Sequence, residues 1–291
     1  MRKKDRRALF AQQYEHLFRC PICKERMRVI ELRSLVCNQS HTFDFTKQGY
    51  VNLLTKPSKT KYDRELFEAR NILMDEATFF HPVLDMMTEK IIEFVKPLQE
   101  EIMILDAGCG EGSHLHSLCH KYLHKKVDVV GTGIDIAKEG ILVAAKYYDD
   151  LIFCVADLAD TPFFDEQFHV ILNILSPSNY EEFHRLLKKD GILLKVVPTG
   201  EYLQEIRQAL FVDPNKQTYS NEAIVEHFQN NFQLIDRKII HYKKYIEGKY
   251  LQALVEMTPL TWSVSQEKLA RVLQKEGMEV TVSLEILIGR K

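Results

Sequence analysis

Ile102-Met103-Ile104-Leu105-Asp106-Ala107-Gly108-Cys109-Gly110-Glu111-Gly112 is the stretch that decides the fold of this 291-residue chain. Its four leading apolar residues suit a buried parallel strand, and Ser113 to Leu123 behind the glycines reads as a helix. Glycines at 108, 110 and 112 let the backbone turn sharply and approach a ligand closely, while the helix N-terminus offers free N–H groups to an anion. No Gly-Lys-Ser/Thr follows, and Ser113 replaces the third glycine of Gly-x-Gly-x-x-Gly, so this is a nucleotide-type loop but not a phosphate loop.

Downstream elements arrive at βα spacing. Val127 to Ile134 reads as a strand ending in Asp135, placed to accept hydrogen bonds from two ribose hydroxyls; as the alternative, Asp135 caps the next helix. Leu151 to Val155 is a third strand leading to Asp157, which either accepts from an adenine amine or caps the turn at Asp160-Thr161-Pro162. A fourth strand, His169 to Leu175, runs into Ser176-Pro177-Ser178-Asn179-Tyr180, then a helix over Glu181 to Leu187 and a fifth strand over Gly191 to Val197. Pro177 either shapes a binding turn or only ends the strand. Helices near Tyr202 to Leu210 and Ser220 to Phe228, with strands Gln233 to Tyr245 and Met278 to Leu287, complete a seven-stranded α/β unit. Met257-Thr258-Pro259 and Trp262 are expected to pack against the sheet edge. The glycine loop in this setting resembles motif I of Rossmann-like S-adenosylmethionine methyltransferases, in which Asp-x-Gly-x-Gly-x-Gly is typical.

The N-terminus carries a second signal. Cys20-Pro21-Ile22-Cys23 followed by Cys37-Asn38-Gln39-Ser40-His41 has the spacing of a tetrahedral Cys3His zinc shell, with all four positions filled by protein and none open for catalysis. Met27 to Leu32 and Leu35-Val36 read as short strands joined at Arg33-Ser34, with a further strand at Phe43-Asp44-Phe45. About thirty residues of hairpin bury too little surface to fold alone, so metal bonds must stabilise them.

Charge is distributed unevenly. Residues 1–61 hold fourteen Lys or Arg against five Asp or Glu, a balance of +9, whereas the other 230 hold twenty-five basic and thirty-six acidic residues. A basic head on an acidic body points to a polyanionic partner, nucleic acid first, with a solvated charged face as the alternative. No apolar run is long enough to span a bilayer, and Met1-Arg2-Lys3-Lys4-Asp5-Arg6-Arg7 predicts no secretory leader. Together with the cysteine usage, this places the chain in a reducing cytoplasm.

Cys-Pro-x-Cys, Cys-x3-His, Phe43-Asp44 and Lys47-Gln48-Gly49-Tyr50-Val51-Asn52-Leu53-Leu54, joined to Leu105 through Gly112, resemble the bacterial 23S rRNA (guanine-N1)-methyltransferases, including Gram-positive members linked to macrolide and tylosin resistance. The similarity continues through Ser176 to Tyr180, Lys189 to Leu193, Val197-Pro198-Thr199 and Met257 to Leu260. It implies a hairpin loop of 23S rRNA as substrate, zinc on Cys20, Cys23, Cys37 and His41, and S-adenosylmethionine held near Gly112 and Ser113. Phe80 and Tyr202 align with an aromatic and a histidine position of the family's cofactor site. Thr78 stands where a glycine is usual, Asn71 where an arginine often follows Ala-Arg, and Ser113 where an aromatic is common. Related enzymes also imply a homodimer in which two zinc modules grip one RNA.

The expected layout is a basic zinc module over 1–55, a linker and helical segment over 56–98, and a Rossmann-like methyltransferase domain over 99–291. Its cofactor contacts are Phe80, Asp106, Gly108, Gly110, Gly112, Ser113, Asp135, Asp157 and Tyr202, and Ser176, Asn179 and Tyr180 face the substrate. Tyr180 or Phe80 would stack on a splayed guanine. Guanine N1 must lose its proton before attacking the methyl, which asks for a base that no motif identifies; Asp157, Glu111 and His114 lie nearby in sequence. A methyltransferase acting on a small molecule or protein, and a non-catalytic RNA-binding relative, remain alternatives.

Overall fold

The computed structural model describes residues 1–58, 60–95, 101–211, 219–262 and 264–291. The chain opens with helix α1 (Lys3–Gln13) and a three-stranded antiparallel sheet of β1 (Met27–Ile30), β2 (Ser34–Cys37) and β3 (Thr42–Asp44). The reversal between β1 and β2 falls at Glu31 and Leu32, both with positive φ, two residues earlier than the Arg33-Ser34 turn expected.

After the two-residue β4 (Val51–Asn52) come α2 (Arg64–Asp75) and α3 (His81–Phe94), then the alternating core: β5 (Ile102–Ala107), α4 (Ser113–His124), β6 (Val129–Asp135), α5 (Lys138–Tyr147) and β7 (Ile152–Val155). It continues through β8 (Phe168–Ile174), α6 (Tyr180–Leu186), β9 (Leu187–Pro198), α7 (Gln204–Leu210), α8 (Glu222–Gln229), β10 (Gln233–Glu247), α9 (Gly248–Glu256), α10 (Gln266–Leu273) and β11 (Gly277–Arg290). The boundary expected between residues 98 and 99 lies outside the described residues.

The large sheet runs in the order β10-β11-β9-β8-β5-β6-β7-β4. β9, β8, β5, β6, β7 and β4 pair in parallel, whereas β11 pairs antiparallel with both β9 and β10. The seven expected strands are all present, and β4 adds an eighth by pairing Val51 and Asn52 with Cys154 and Val155. Every residue of β5 and β8 is buried, as required of central parallel strands covered by helices on both faces. Connections turn to opposite sides of β5, toward β6 on one side and β8 on the other, so a crevice opens where the carboxyl ends of these strands diverge.

The zinc module is docked on this core. Leu17, Phe18, Met27, Val29, Leu35 and Phe45 share one buried cluster with Phe163, Phe168, Leu105 and Ile134. Backbone bonds Arg19 N–H to Pro162 O (3.0 Å) and Phe164 N–H to Leu17 O (3.0 Å) cross the junction. Part of the basic excess serves the same contact: Lys3 and Arg6 reach Asp149 at 3.1 and 2.6 Å, and Arg19 and Lys24 both meet Asp160. Arg26, Arg28, Arg33, Lys47 and Lys56 remain exposed on the module and the segment after it. Trp262 does not pack on the sheet edge; it is 47% exposed and meets Tyr62 edge-on at 5.3 Å.

Arg7 is the deepest of these links. It is 3% exposed, donates to Ala145 O at 3.0 Å and lies over the Phe153 ring. Its aliphatic stem lies against Gly49, whose φ of +90° few side chains tolerate; a Cβ there would collide with Arg7 Cδ and lie 2.9 Å from Arg7 Cβ. Gly49→Ala is therefore expected to destabilise the protein by about 2–4 kcal/mol, from left-handed strain plus overpacking, read as a fall of several degrees in a thermal melt.

Candidate metal centre and cofactor cavity

Two turns build the metal site. Cys20 O accepts from Lys24 N–H (2.9 Å) and Cys37 O from Ser40 N–H (2.9 Å), with Lys24 and Ser40 at positive φ, so each knuckle aims its ligands inward. The donor atoms of Cys20, Cys23, Cys37 and His41 lie within 4.8 Å of one another. Cys23 Sγ is 3.5 Å from Cys37 Sγ, and His41 Nδ1 is 3.4 Å from Cys37 Sγ and 3.6 Å from Cys20 Sγ. Tetrahedral zinc with bonds of about 2.3 Å to sulfur requires ligand separations of about 3.8 Å, so the set fits one structural zinc bound through Nδ1.

The second site is a cavity of about 620 Å³ at the carboxyl edge of the large sheet. Its floor includes Gly108 after β5, Asp135 ending β6, Asp157 after β7, Ser176 after β8, and Lys195 to Pro198 of β9. Leu66, Phe67, Arg70 and Met74 form one wall from a single face of α2, and Phe80, Tyr202, Met257 and Thr258 contribute to others. Asp63 starts that helix by accepting from Leu66 N–H at 2.9 Å.

Local hydrogen bonds shape the glycine loop. Gly108 and Cys109 N–H both reach Ile134 O at 2.9 Å. Asp135 Oδ2 accepts from Gly110 N–H (2.8 Å) and Oδ1 from Ala137 N–H (2.7 Å), each oxygen keeping capacity for a further donor. Gly108 has a φ of +86°, and a Cβ there would strike Ser176.

Behind the loop lies a buried charge cluster. Asp106 is 1% exposed and neither carboxylate oxygen has a hydrogen-bond partner; burial first, and then Glu111, pushes its pKa up to about 8. Glu111 is fully buried, pairs with Arg70 Nε at 3.3 Å and accepts from Ser113 Oγ. His114 is held neutral, with burial and then Arg70 pressing its pKa down to about 4. Two buried carboxyl groups that share one partly exposed guanidinium, with Asp106 left without a hydrogen-bond partner, suit a zwitterionic, cationic amino-acid cofactor such as S-adenosylmethionine.

Residues 18–62 match the family model described as "RlmA, N-terminal", and residues 98–277 match "Methyltransferase domain". A Bacillus subtilis protein provisionally named a 23S rRNA (guanine-N1)-methyltransferase is 47% identical over 277 residues, covering 94% of this chain and 97% of that one. The chain belongs to the 23S rRNA (guanine-N1)-methyltransferase family. The Streptomyces fradiae 23S rRNA (guanine(748)-N1)-methyltransferase is 28% identical over 279 residues, covering 94% of this chain and 96% of its own. A Micromonospora griseorubida relative, provisionally named a 23S rRNA (guanine-N1)-methyltransferase, is 28% identical over 291 residues with the same coverage.

In this methyltransferase, Phe80, Gly108, Asp135, Asp157, Tyr202 and Ser176 come together around the cavity. Asp106, Gly110, Gly112 and Ser113 form the layer behind it. Asp135 is not the cap of α5, a position held by Ala137, whereas Asp157 both lines the cavity and turns its loop by accepting from Ala159 N–H at 2.9 Å. Two substrate assignments are corrected. Asn179 caps α6 by accepting from Glu182 N–H at 3.2 Å, and Tyr180 is 5% exposed, packed among Phe183, His227, Phe228 and Phe232. The first turn of α6 faces α8 and the segment after it, so this ring belongs to the core. Of the three sequence-adjacent base candidates only Asp157 lines the cavity; Glu111 and His114 are sealed beneath it.

Sequence reasoning missed Arg70, Lys195 and Tyr62. Arg70 shares the apolar stripe of Leu66, Phe67 and Met74, and Lys195 interrupts Ile192-Leu193-Leu194, so both were visible as lone charges in buried patterns. Asp106 offers a test with a definite sign. Between an unfolded carboxyl pKa near 4 and the folded value of about 8, the folded chain binds the extra proton, so raising the pH costs wild-type stability. Asp106→Asn should raise the melting temperature of ligand-free protein more at pH 8 than at pH 5, while weakening S-adenosylmethionine binding at least about tenfold by calorimetry.

Proposed function

We propose that this chain transfers the methyl group of S-adenosylmethionine to N1 of a guanine in a hairpin loop of 23S rRNA. The observation that carries the reading is 47% identity extending through both the zinc module and the cavity domain. Bound in the cavity, S-adenosylmethionine supplies an electrophilic methyl on a sulfonium. Asp135 accepts from the ribose hydroxyls with the lone pairs left by Gly110 and Ala137, and Asp157 from the adenine amine. Arg70 meets the methionyl carboxylate, and the Asp106 and Glu111 side favours the ammonium. Gly108, Gly110, Gly112 and Ser113 set the loop's backbone, and Phe80 and Tyr202 close it off from water.

The target base enters over Ser176. With Tyr180 buried, the stacking surface passes to Tyr62, which lines the cavity, and its edge-on neighbour Trp262, exposed by 42% and 47%. Arg26, Arg28, Arg33 and Lys47 supply phosphate contacts from the zinc module, which the shared core holds in fixed relation to the cavity. The three parts are a zinc module over 1–55, a linker and helical segment over 56–98 whose helix α2 also walls the cavity, and the methyltransferase domain over 99–291. The setting is cytoplasmic; no helix among the described residues is long and apolar enough to cross a membrane. A homodimer, pairing two modules on one RNA, completes the proposal.

Primer extension on 23S rRNA from a strain lacking this protein should lose a stop at one hairpin guanine, and an unchanged pattern refutes the substrate. A stop that persists while a small-molecule or protein acceptor is methylated would favour the other methyltransferase reading. Replacing Tyr62 and Trp262 together by Ala should weaken binding of the rRNA hairpin by about tenfold or more while leaving S-adenosylmethionine affinity unchanged, as measured by filter binding and calorimetry. Cys37→Ser should remove zinc from the purified protein, by metal analysis, and lower its melting temperature together with RNA affinity.

A further inference from the structure

Lys195 is a charge where the strand pattern calls for none. It is 4% exposed, sits between Leu194 and Val196 in the buried part of β9, and lines the cavity beside Ser176. Across the strand register its neighbours are Asn173 of β8 and Leu287 of β11, neither charged. Among the described residues no carboxylate pairs with it. A buried lysine without a counter-ion is expensive to keep unless its chemistry is used.

Its surroundings prepare that chemistry. Asn173 Nδ2 donates to Ala107 O (3.1 Å) and Pro177 O (2.9 Å), which turns Asn173 Oδ1 toward the amine. Lys195 Nζ donates to that oxygen at 2.6 Å and to Ser178 Oγ at 2.7 Å; its third contact, Ser176 O, is long at 3.3 Å. A neutral amine keeps the two short bonds with its two N–H groups and gives up only the long third contact, to Ser176 O on the loop over which the base enters. Building on the function proposed above, we infer that Lys195 is the catalytic base that takes the proton from guanine N1.

The charges balance in this arrangement. The N1–H bond breaks and its proton passes to the Lys195 Nζ lone pair; the N1 electron pair bonds to the methyl carbon, and the carbon–sulfur pair leaves on sulfur as a neutral thioether. One positive charge is present before the step, on sulfur, and one after it, on Nζ. The step therefore creates no second cation beside the sulfonium and no uncompensated guanine anion. Burial already lowers the Lys195 pKa to about 8, and a sulfonium in the same cavity opposes a second positive charge, so binding of the methyl donor shifts Lys195 further toward the neutral amine. The other titratable groups of the cavity are Tyr62 before α2, Arg70 on α2, Asp135 ending β6, Asp157 after β7, and Tyr202 and Tyr219, none of which bonds to Nζ.

The test compares wild type with Lys195→Met and Lys195→Arg. Methyl transfer to an rRNA hairpin, read as N1-methylguanosine by nucleoside mass spectrometry, should fall about a hundredfold or more in kcat for both variants, with KM for RNA within about threefold. The wild-type rise of kcat with pH should vanish. Calorimetry in buffers of different ionisation enthalpy gives a readout independent of turnover. At pH 8, S-adenosylmethionine should release more protons than S-adenosylhomocysteine, by up to roughly half a proton in wild type and by none in Lys195→Met; comparing the two ligands cancels Asp106 and the shared ammonium. A Lys195→Met protein with wild-type kcat overturns the assignment, as does rescue by arginine, which would mark a purely electrostatic role. Wild type forming no N1-methylguanosine overturns the substrate and this inference together, whereas active wild type with an equally active Lys195→Met overturns Lys195 alone.

Discussion

The carboxylate of Asp135 receives the Gly110 N–H on one oxygen and the Ala137 N–H on the other, and the shape of the cavity follows from that pair of bonds. They lock the loop after β5 to the loop after β6, so the glycine turn is held against the end of β6. Hydrogen bonds to a charged acceptor in a mostly buried place are each worth about 1.5–3 kcal/mol, enough to keep the loop ordered without ligand. Once the loop is fixed, Gly108, lacking a Cβ, leaves the room that Ser176 occupies, and Ser176 leads the turn that approaches Lys195. The glycine loop and the turn after β8 are thus one connected piece of the cavity floor.

A second constraint joins recognition to chemistry. Metal bonds fold a hairpin too small to fold alone, but Leu17, Phe18 and Met27 then continue into the same buried cluster as Leu105 and Phe168 of the large domain. The module is a fixed arm in this arrangement. Its helix α1 is strongly polar, and it gains its place through Arg7, wedged between Gly49 and Phe153, rather than through an apolar stripe. The acidic Asp149 and Asp160 take up several of the head's cations, which leaves the outward face of the zinc hairpin as its free basic surface.

This explains what was legible in the sequence. Ile102 to Gly112 announced a strand and a ligand loop because a fully buried strand and positive-φ glycines leave a composition no other element shares. The zinc quartet was legible because ligand spacing is set by the metal and not by distant packing. Helix α1 was not, since its buried face holds only Arg7, Ala8 and Ala11. Tyr180 and Trp262 exchanged expected places for a related reason: which aromatic ring is buried depends on whether α8 and Phe232 arrive to cover it, and nothing in Ser176 to Tyr180 encodes that contact. β4 pairs only two residues, too few for any pattern to reveal.

Arg70 and Lys195 show the opposite error, in which a visible signal was passed over. Each is a single charge within an apolar pattern, and each lines the cavity. The central claim is that the zinc arm and the cavity act together to put a methyl on one nitrogen of one guanine. The most direct measurement incubates zinc-loaded protein, isotopically labelled S-adenosylmethionine and a 23S rRNA hairpin, and maps the label by nucleoside mass spectrometry. A single label on N1 of one loop guanine is predicted; label on another atom, on several unrelated bases, or on none contradicts it.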